Sequence, residues 1–382
     1  MKLTTISQHQ QPRRENHARG MIASASLLCV CAHETPSLDP HYGGIQYAAM
    51  RPSIKPETIV RHAYGVYSPL AMLAGMQLDV FTPLKDGPMT AAALASALAL
   101  SVEKLRPLLY ALVHADLLGL DHDRFGNTPE SDAYLVRGRP DYIGSNHELY
   151  SDLWGAALAV GRSIRAGAPQ ARHDFASMSD GELAAFFRGL HAGALAVGRQ
   201  LALDYGFERF RNLLDVGGGS GGVAIAACRS CPDLRATVVE LPRVAPIAQS
   251  AVDATELSER VRVLAADATQ RLPERQFDAA VLRNLLQVLG PEQARGTLRN
   301  VGQALEHGGA IFIVGHVLDD SRLAPAAAVG QNLAFLSIYD EGQAHTEEEH
   351  RTWLAGAGFS DINVLYGAAS GAASIITARK TS

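Results

Sequence analysis

The chain has 382 residues, 47% hydrophobic and 19% charged, with a net charge of −5 and a pI near 6.3. That is enough material for a sizeable core and implies two or more domains, and the acidic balance gives no general electrostatic case for nucleic acid or an anionic membrane. No apolar run is long enough to cross a bilayer, and four cysteines make no disulfide framework, so a reduced cytoplasmic setting is expected.

Met1 to about Ile54 reads as a disordered leader, or as sequence upstream of the real start, with Met50 an alternative start. Met21–Ala32 follows Arg13, Arg14 and Arg19 but is short for a signal peptide, is broken by serines and leads to no clean small-x-small site. A first domain is expected over 55–165. Lys55–Leu84 reads as helix, with apolar positions Ile59, Val60, Ala63, Val66, Leu70, Leu73 and Leu78. Thr90 caps a second helix, and Ser101 caps a third over Val102–Ala115. Leu117 to Leu135 reads as a hairpin with a polar tip at His122–Asn127, completing a winged-helix pattern. The third helix carries Glu103, Lys104, Arg106 and His114, with Asp116 just beyond, and no basic stripe, so a dimerisation module is favoured over DNA contact.

Asp141–Arg165 reads as helix, with Tyr150 and Trp154 on one face as core or as a pocket wall. A second domain is expected over 166–382, opened by linking helices over 166–206. There Phe186, Phe187, Leu190 and Ala194 face inward, and His191 travels with them. The stretch Leu213–Cys228 then reads as strand, tight turn and helix. Its glycines, Gly217, Gly219 and Gly221 among them, permit positive φ and close ligand approach, and the helix start behind them favours an anion. Cys228-x-x-Cys231 falls near that helix's end with no second ligand pair, which favours a structural role, and no metal site is expected. Further strands are expected at Thr237–Glu240, Val261–Asp267, Phe277–Leu282 and Ala310–Val314, the last behind the turn His307–Gly309. Asn363–Tyr366 and Ala373–Ala378 close the chain. The alternation is α/β, a Rossmann-like doubly wound sheet that binds ligands at its strand ends.

Acids mark those ends. Glu240 is where a nucleoside ribose expects a carboxylate, and Asp267 is placed to accept from an adenine amino group. No Lys follows the glycines, as a P-loop requires, and an NAD enzyme explains Asp267 and the closing strands less well. The set points to S-adenosylmethionine (SAM).

From about Ile59 onward the chain resembles the small-molecule O-methyltransferases that include plant caffeate and bacterial polyketide methyltransferases. The resemblance rests on Asp215–Gly221, Glu240-Leu241-Pro242, Asp267, Leu282–Leu286 and Ala357-Gly358-Phe359. It implies a class I SAM domain joined to a winged-helix homodimerisation domain. It also implies SAM contacts by Asp215, Gly217, Gly219, Gly221, Glu240, Leu241, Asp267, Ala268 and Arg283, with Phe186, Phe187 and His191 near cofactor and acceptor. Where phenol-methylating members carry a catalytic His, this chain has Gln287, which has no titrating group. The family's two supporting glutamates match Gly315 and Ala344. His316, His345 and His191 are candidate displaced bases. Without a base, attack by sulfur, nitrogen, carboxylate or carbon needs mainly proximity and alignment, so the reading leans to S- or N-methylation. A thioether acid such as methylthiohydroxybutyrate is one precedent, with Arg188, Tyr150, Tyr339 and His345 as conceivable clamps and Trp154 as a pocket wall. The alternatives are O- or C-methylation through a displaced His, a non-methylating use of the fold, and a SAM-sensing regulator.

Overall fold

The structure, a computed structural model, describes residues 54–173, 175, 177–273, 277–369 and 372–381. The expected leader, Ile54 apart, lies outside them. From Glu57 to the C terminus the chain clusters as one unit. Its opening helix is not continuous to Leu84. It divides into α1 (Glu57–Gly65) and α2 (Tyr67–Gln77), followed by a 3₁₀ turn over Thr82–Asp86. A short strand, β1 (Met89–Thr90), leads into α3 (Ala91–Ala97), whose first turn is capped by Thr90 Oγ1 accepting from Ala93 N at 3.2 Å. Ser101 caps α4 (Val102–His114) in the same way.

The hairpin is shorter than expected. β2 (Leu118–Asp121) and β3 (Arg124–Asn127) pair antiparallel, β3 also pairs with β1, and the chain then turns helical in α5 (Pro129–Leu135). Thr128 caps that helix and Pro129 starts it, where a missing N–H costs nothing. Phe81, Leu94, Leu105, Leu109 and Leu112 form the core of this part. The helix expected over 141–165 also divides, at Ala159, into α6 (His147–Leu158) and α7 (Val160–Ala166). The long α8 (Asp180–Asp204) starts in a full capping box, Ser179 with Glu182.

The sheet follows. β4 (Asn212–Val216) runs through the glycine turn into α9 (Gly222–Ser230). β5 (Arg235–Glu240), α10 (Ala245–Asp253) and β6 (Val261–Ala265) extend the sheet on one side of β4. β7 (Phe277–Arg283), α11 (Pro291–Ala304) and β8 (Leu305–Gly315) extend it on the other. The turn expected at His307–Gly309 lies within β8, opposite a register irregularity in β7. After α12 (Ala326–Ile338) and α13 (Glu347–Gly356), the strands β9 (Phe359–Ala369) and β10 (Ala373–Lys380) form an antiparallel edge, both longer than expected. The order is β6-β5-β4-β7-β8-β10-β9, with the first five parallel.

Successive residues serve opposite faces. Leu213 and Val238 pack in one core cluster, and Leu214 and Val239 pack in the other. With both faces covered, the middles of the central strands are largely apolar, and Asp215, Glu240 and Arg283 stand at or near the C-terminal ends of β4, β5 and β7. The chain order reverses at β4, so the crevice above β4 and β7 is the topological switch point where such sheets bind ligands.

Candidate active site

A cavity of about 410 Å³ opens there, walled by the C-terminal ends of β4, β5, β7 and β8, by the loop after β6, and by α6, α8 and α12. At one end the glycine turn forms its floor. Gly217 (φ 61°) and Gly219 (φ 57°) hold left-handed backbone that disfavours other residues. A Cβ on Gly217 would come within 2.9 Å of Leu285, and one on Gly219 within 3.2 Å of the Phe187 ring. Gly221 does not line the cavity. It is the N-cap of α9, and its N–H donates to Gly218 O at 2.9 Å, so its part is to shape the turn.

Glu240 ties the turn together. Its Oε2 accepts from Gly219 N at 2.8 Å and its Oε1 from Leu241 N at 2.7 Å. Burial raises its pKa, and those two N–H donors oppose the rise. Each oxygen keeps a second lone pair. Asp215 lies at the back, fully buried, with Oδ2 accepting from Ala224 N at 3.2 Å. Burial pushes its pKa to about 7, with the Ala224 N–H and Arg283 opposing. Asp267 sits two residues beyond β6 rather than within it. Its Oδ1 accepts from Thr269 N and Oγ1, at 2.9 and 2.8 Å. Leu241, Ala268 and Arg283 also line the cavity. Burial lowers the Arg283 pKa to about 10 and Asp215 opposes that, so the guanidinium stays charged near neutrality.

The other end is aromatic. Tyr150, Phe186, Phe187 and Tyr339 line it, joined by Phe175 and Phe335. Burial, then the charge of Asp152, raises the Tyr339 pKa. Two expected contributors are elsewhere. Trp154 is not on the wall but stacks on Tyr150, with centroids 5.9 Å apart. Arg188 is exposed and outside the lining, so it clamps nothing there.

The four catalytic candidates separate. Gln287 is 8% exposed, and its Oε1 accepts from His316 N at 2.9 Å. That oxygen also lies 2.7 Å from where a Cβ on Gly315 would sit. Gln287 and the missing side chain at 315 therefore fit each other sterically. His316 reaches the cavity. Burial lowers its pKa, and its Nδ1 is buried without a hydrogen-bond partner. His345 is fully buried away from the cavity, with its ring 4.7 Å from Trp353 and Nε2 3.2 Å from Leu289 O. His191 is also outside the lining. Its Nδ1 stands 2.8 Å from Ser220 Oγ, bracing the turn from α8. Neither His345 nor His191 is placed to meet an acceptor.

Sequence reasoning missed a fourth histidine. His173 lines the cavity from the loop before α8, with Nε2 2.8 Å from Asp152 Oδ2 on α6. Nothing in the order of residues joins a loop His to an Asp on another helix. The cysteine pair reads as packing. Both thiols are buried, and burial pushes Cys228 up to about 12. Among the described residues no group of three or more His, Cys, Asp or Glu is placed to hold a metal ion, and no helix is long and apolar enough to cross a membrane.

The cofactor end fits SAM on its own geometry. It offers a floor without Cβ atoms, acceptors for ribose hydroxyls and an amine, and a buried cation for a carboxylate. A parallel sheet with these groups at successive strand ends defines a class I SAM-dependent methyltransferase. Residues 159–360 match the O-methyltransferase domain and residues 60–137 the O-methyltransferase dimerisation domain, and the chain belongs to that family. It is 29% identical over 332 residues to the tetracenomycin polyketide synthesis 8-O-methyl transferase TcmO of Streptomyces glaucescens, covering 85% of this chain and 97% of that protein. It is 31% identical over 323 residues to acetylserotonin O-methyltransferase of Mus musculus, covering 79% and 83%. It is 28% identical over 302 residues to the N,N-dimethyltransferase OxyT of Streptomyces rimosus, covering 76% and 86%. In fold it is similar to human N-acetylserotonin methyltransferase in complex with SAM, with a TM-score of 0.72 and 24% identity over 87% of this chain and all of that one.

Proposed function

We propose that the chain methylates a hydroxyl on a flat, largely apolar small molecule. SAM is held at the glycine-turn end and the acceptor at the aromatic end. The observation that carries this reading is that both ends belong to one cavity. In it Glu240 holds the ribose hydroxyls, Asp267 the adenine amine and Arg283 the methionyl carboxylate. Gly217 and Gly219 admit the close approach, Leu241 and Ala268 flank it, and Asp215 pins the turn to α9. The sulfonium supplies an already activated methyl group. The chain's own work is alignment and exclusion of water. The O-methyltransferase names of the relatives TcmO and acetylserotonin O-methyltransferase support oxygen as the receiving atom.

A second reading, S- or N-methylation, rests on Gln287, which cannot take a proton. An anionic thioether is the weaker form of it. Arg283 is the single Lys or Arg on the wall among the described residues, and it lies at the cofactor end. We also read 55–165 as the homodimerisation domain and 166–382 as the SAM-binding domain of a cytoplasmic enzyme, its thiols reduced.

Calorimetry with SAM, then label transfer from methyl-labelled SAM to a panel of naphthols, phenols, anilines and thioethers, tests the proposal. Label is expected on the hydroxylated rings. Label on amines or thioethers alone would move the chain to the second reading. SAM binding with no transfer to any of them would count for a non-methylating enzyme.

A further inference from the structure

The cavity wall holds a pair of side chains that the cofactor constellation does not use. The His173 side chain is 7% exposed, with Nε2 2.8 Å from Asp152 Oδ2. Its Nδ1 is buried with no hydrogen-bond partner, and the Asp152 oxygen has none of good angle. The rings of Phe186, Phe175 and Tyr339 fix the imidazole from three sides, at 5.3, 6.3 and 6.3 Å between centroids. A buried polar atom left unpaired is destabilising. With Nε2 beside Asp152, Nδ1 is the ring nitrogen left to receive a donor.

We propose that the His173–Asp152 pair takes the proton from the acceptor hydroxyl, the task that Gln287 cannot perform. The inference rests on reading the cavity as a methyl-acceptor site. In the step, the O–H bond breaks, its electron pair stays on oxygen, and the proton bonds to His173 Nδ1. Nε2 lies 2.8 Å from the Asp152 carboxylate, so a proton on that nitrogen leaves the lone pair on Nδ1. The Asp152 carboxylate stands 2.8 Å from Nε2, and the proton passes later to solvent. Among the described residues, Arg172 beside His173 pairs with Asp340 at 2.5 Å. Among the described residues, Tyr339 is the titrating side chain whose ring packs on His173, and burial keeps it protonated. His316, the rival in the same cavity, has no carboxylate partner among the described residues. Burial also makes it a weaker base. His173 is thus the catalytic group, and Asp152 its positioning partner.

The test uses the whole chain saturated with S-adenosylhomocysteine, with 4-nitrophenol as an optical probe at a pH below the probe's own pKa. Binding to the wild type is expected to raise the phenolate-to-phenol ratio about tenfold, one pKa unit. His173→Gln and Asp152→Asn are expected to abolish the rise, while S-adenosylhomocysteine affinity stays within about twofold by calorimetry. In turnover of naphthols of graded acidity, the same variants should lose about 100-fold in kcat with the weakest acids and little with the strongest. An equal loss across the series would assign the pair a merely structural role and overturn the proposal. A rise lost in His316→Gln but kept in His173→Gln would overturn it too. So would a wild type that binds S-adenosylhomocysteine yet leaves the probe protonated or unbound, and the methyltransferase reading would then stand. Failure to bind S-adenosylhomocysteine at all would remove both.

Discussion

Glu240 shows how much one side chain does here. Each of its oxygens accepts a backbone N–H, one from the glycine turn and one from the following residue. Glutamine in its place offers one acceptor and an NH₂, so one of those N–H groups would face a donor. The charge is lost as well. Glu240→Gln is therefore expected to weaken SAM binding about 10- to 100-fold, the equivalent of one charge-assisted hydrogen bond, in titration calorimetry. Unchanged affinity would mean that the carboxylate serves the turn alone. Such an acid is legible in sequence because it ends an apolar strand. A histidine is not legible in that way. His316, His345 and His191 were equal candidates by spacing, and the loops after β8 and α12 and the facing of α8 sent each to a different environment.

Helices α1 and α2 carry the clearest element-level consequence. No residue of α1 is buried, although Ile59, Val60 and Tyr64 lie on it, and Tyr67 and Leu70 on α2 are exposed as well. A lone helix this short gains little from propensity and needs an apolar partner face. The match of residues 60–137 to a dimerisation domain supports a second copy as that partner. The double substitution Tyr64→Glu, Leu70→Glu places charge on this face. It is expected to convert a dimer to a monomer in light scattering while leaving SAM affinity within about twofold. A wild type that is already monomeric would refute the assignment.

Over the whole molecule, buried histidines set how stability responds to acid. Burial lowers the pKa of His191, His316 and His345, and takes His350 to about 4. The unfolded chain therefore binds more protons than the folded one as pH falls below about 6.5, and stability is lost through that window. Asp215 acts in the opposite sense. Its folded pKa of about 7 lies above the unfolded value, so it costs stability as pH rises toward 7. Glu240, also raised by burial, acts in the same sense as Asp215, and four histidines outweigh the two acids. The melting temperature of the cofactor-free protein is expected to fall between about pH 7 and about pH 5. A rise over that interval would show that Asp215 and Glu240 dominate.

The class of fold and the cofactor end of the site were determined by residue order. Apolar strands alternating with helices imply a parallel sheet, the glycines after Val216 turn the chain from strand into helix, and acids at strand ends fall on one edge once the sheet forms. Element ends were less legible, because breaks at Val66 and Ala159 and the helical start at Pro129 depend on packing and capping rather than on hydrophobic period. The acceptor end was decided by the tertiary structure. Trp154 left the wall, Gly221 moved behind the turn, and His173 met Asp152 across two elements that no sequence spacing connects. Local order constrains backbone and burial pattern. Which side chains from different helices share a cavity depends on how those helices are packed.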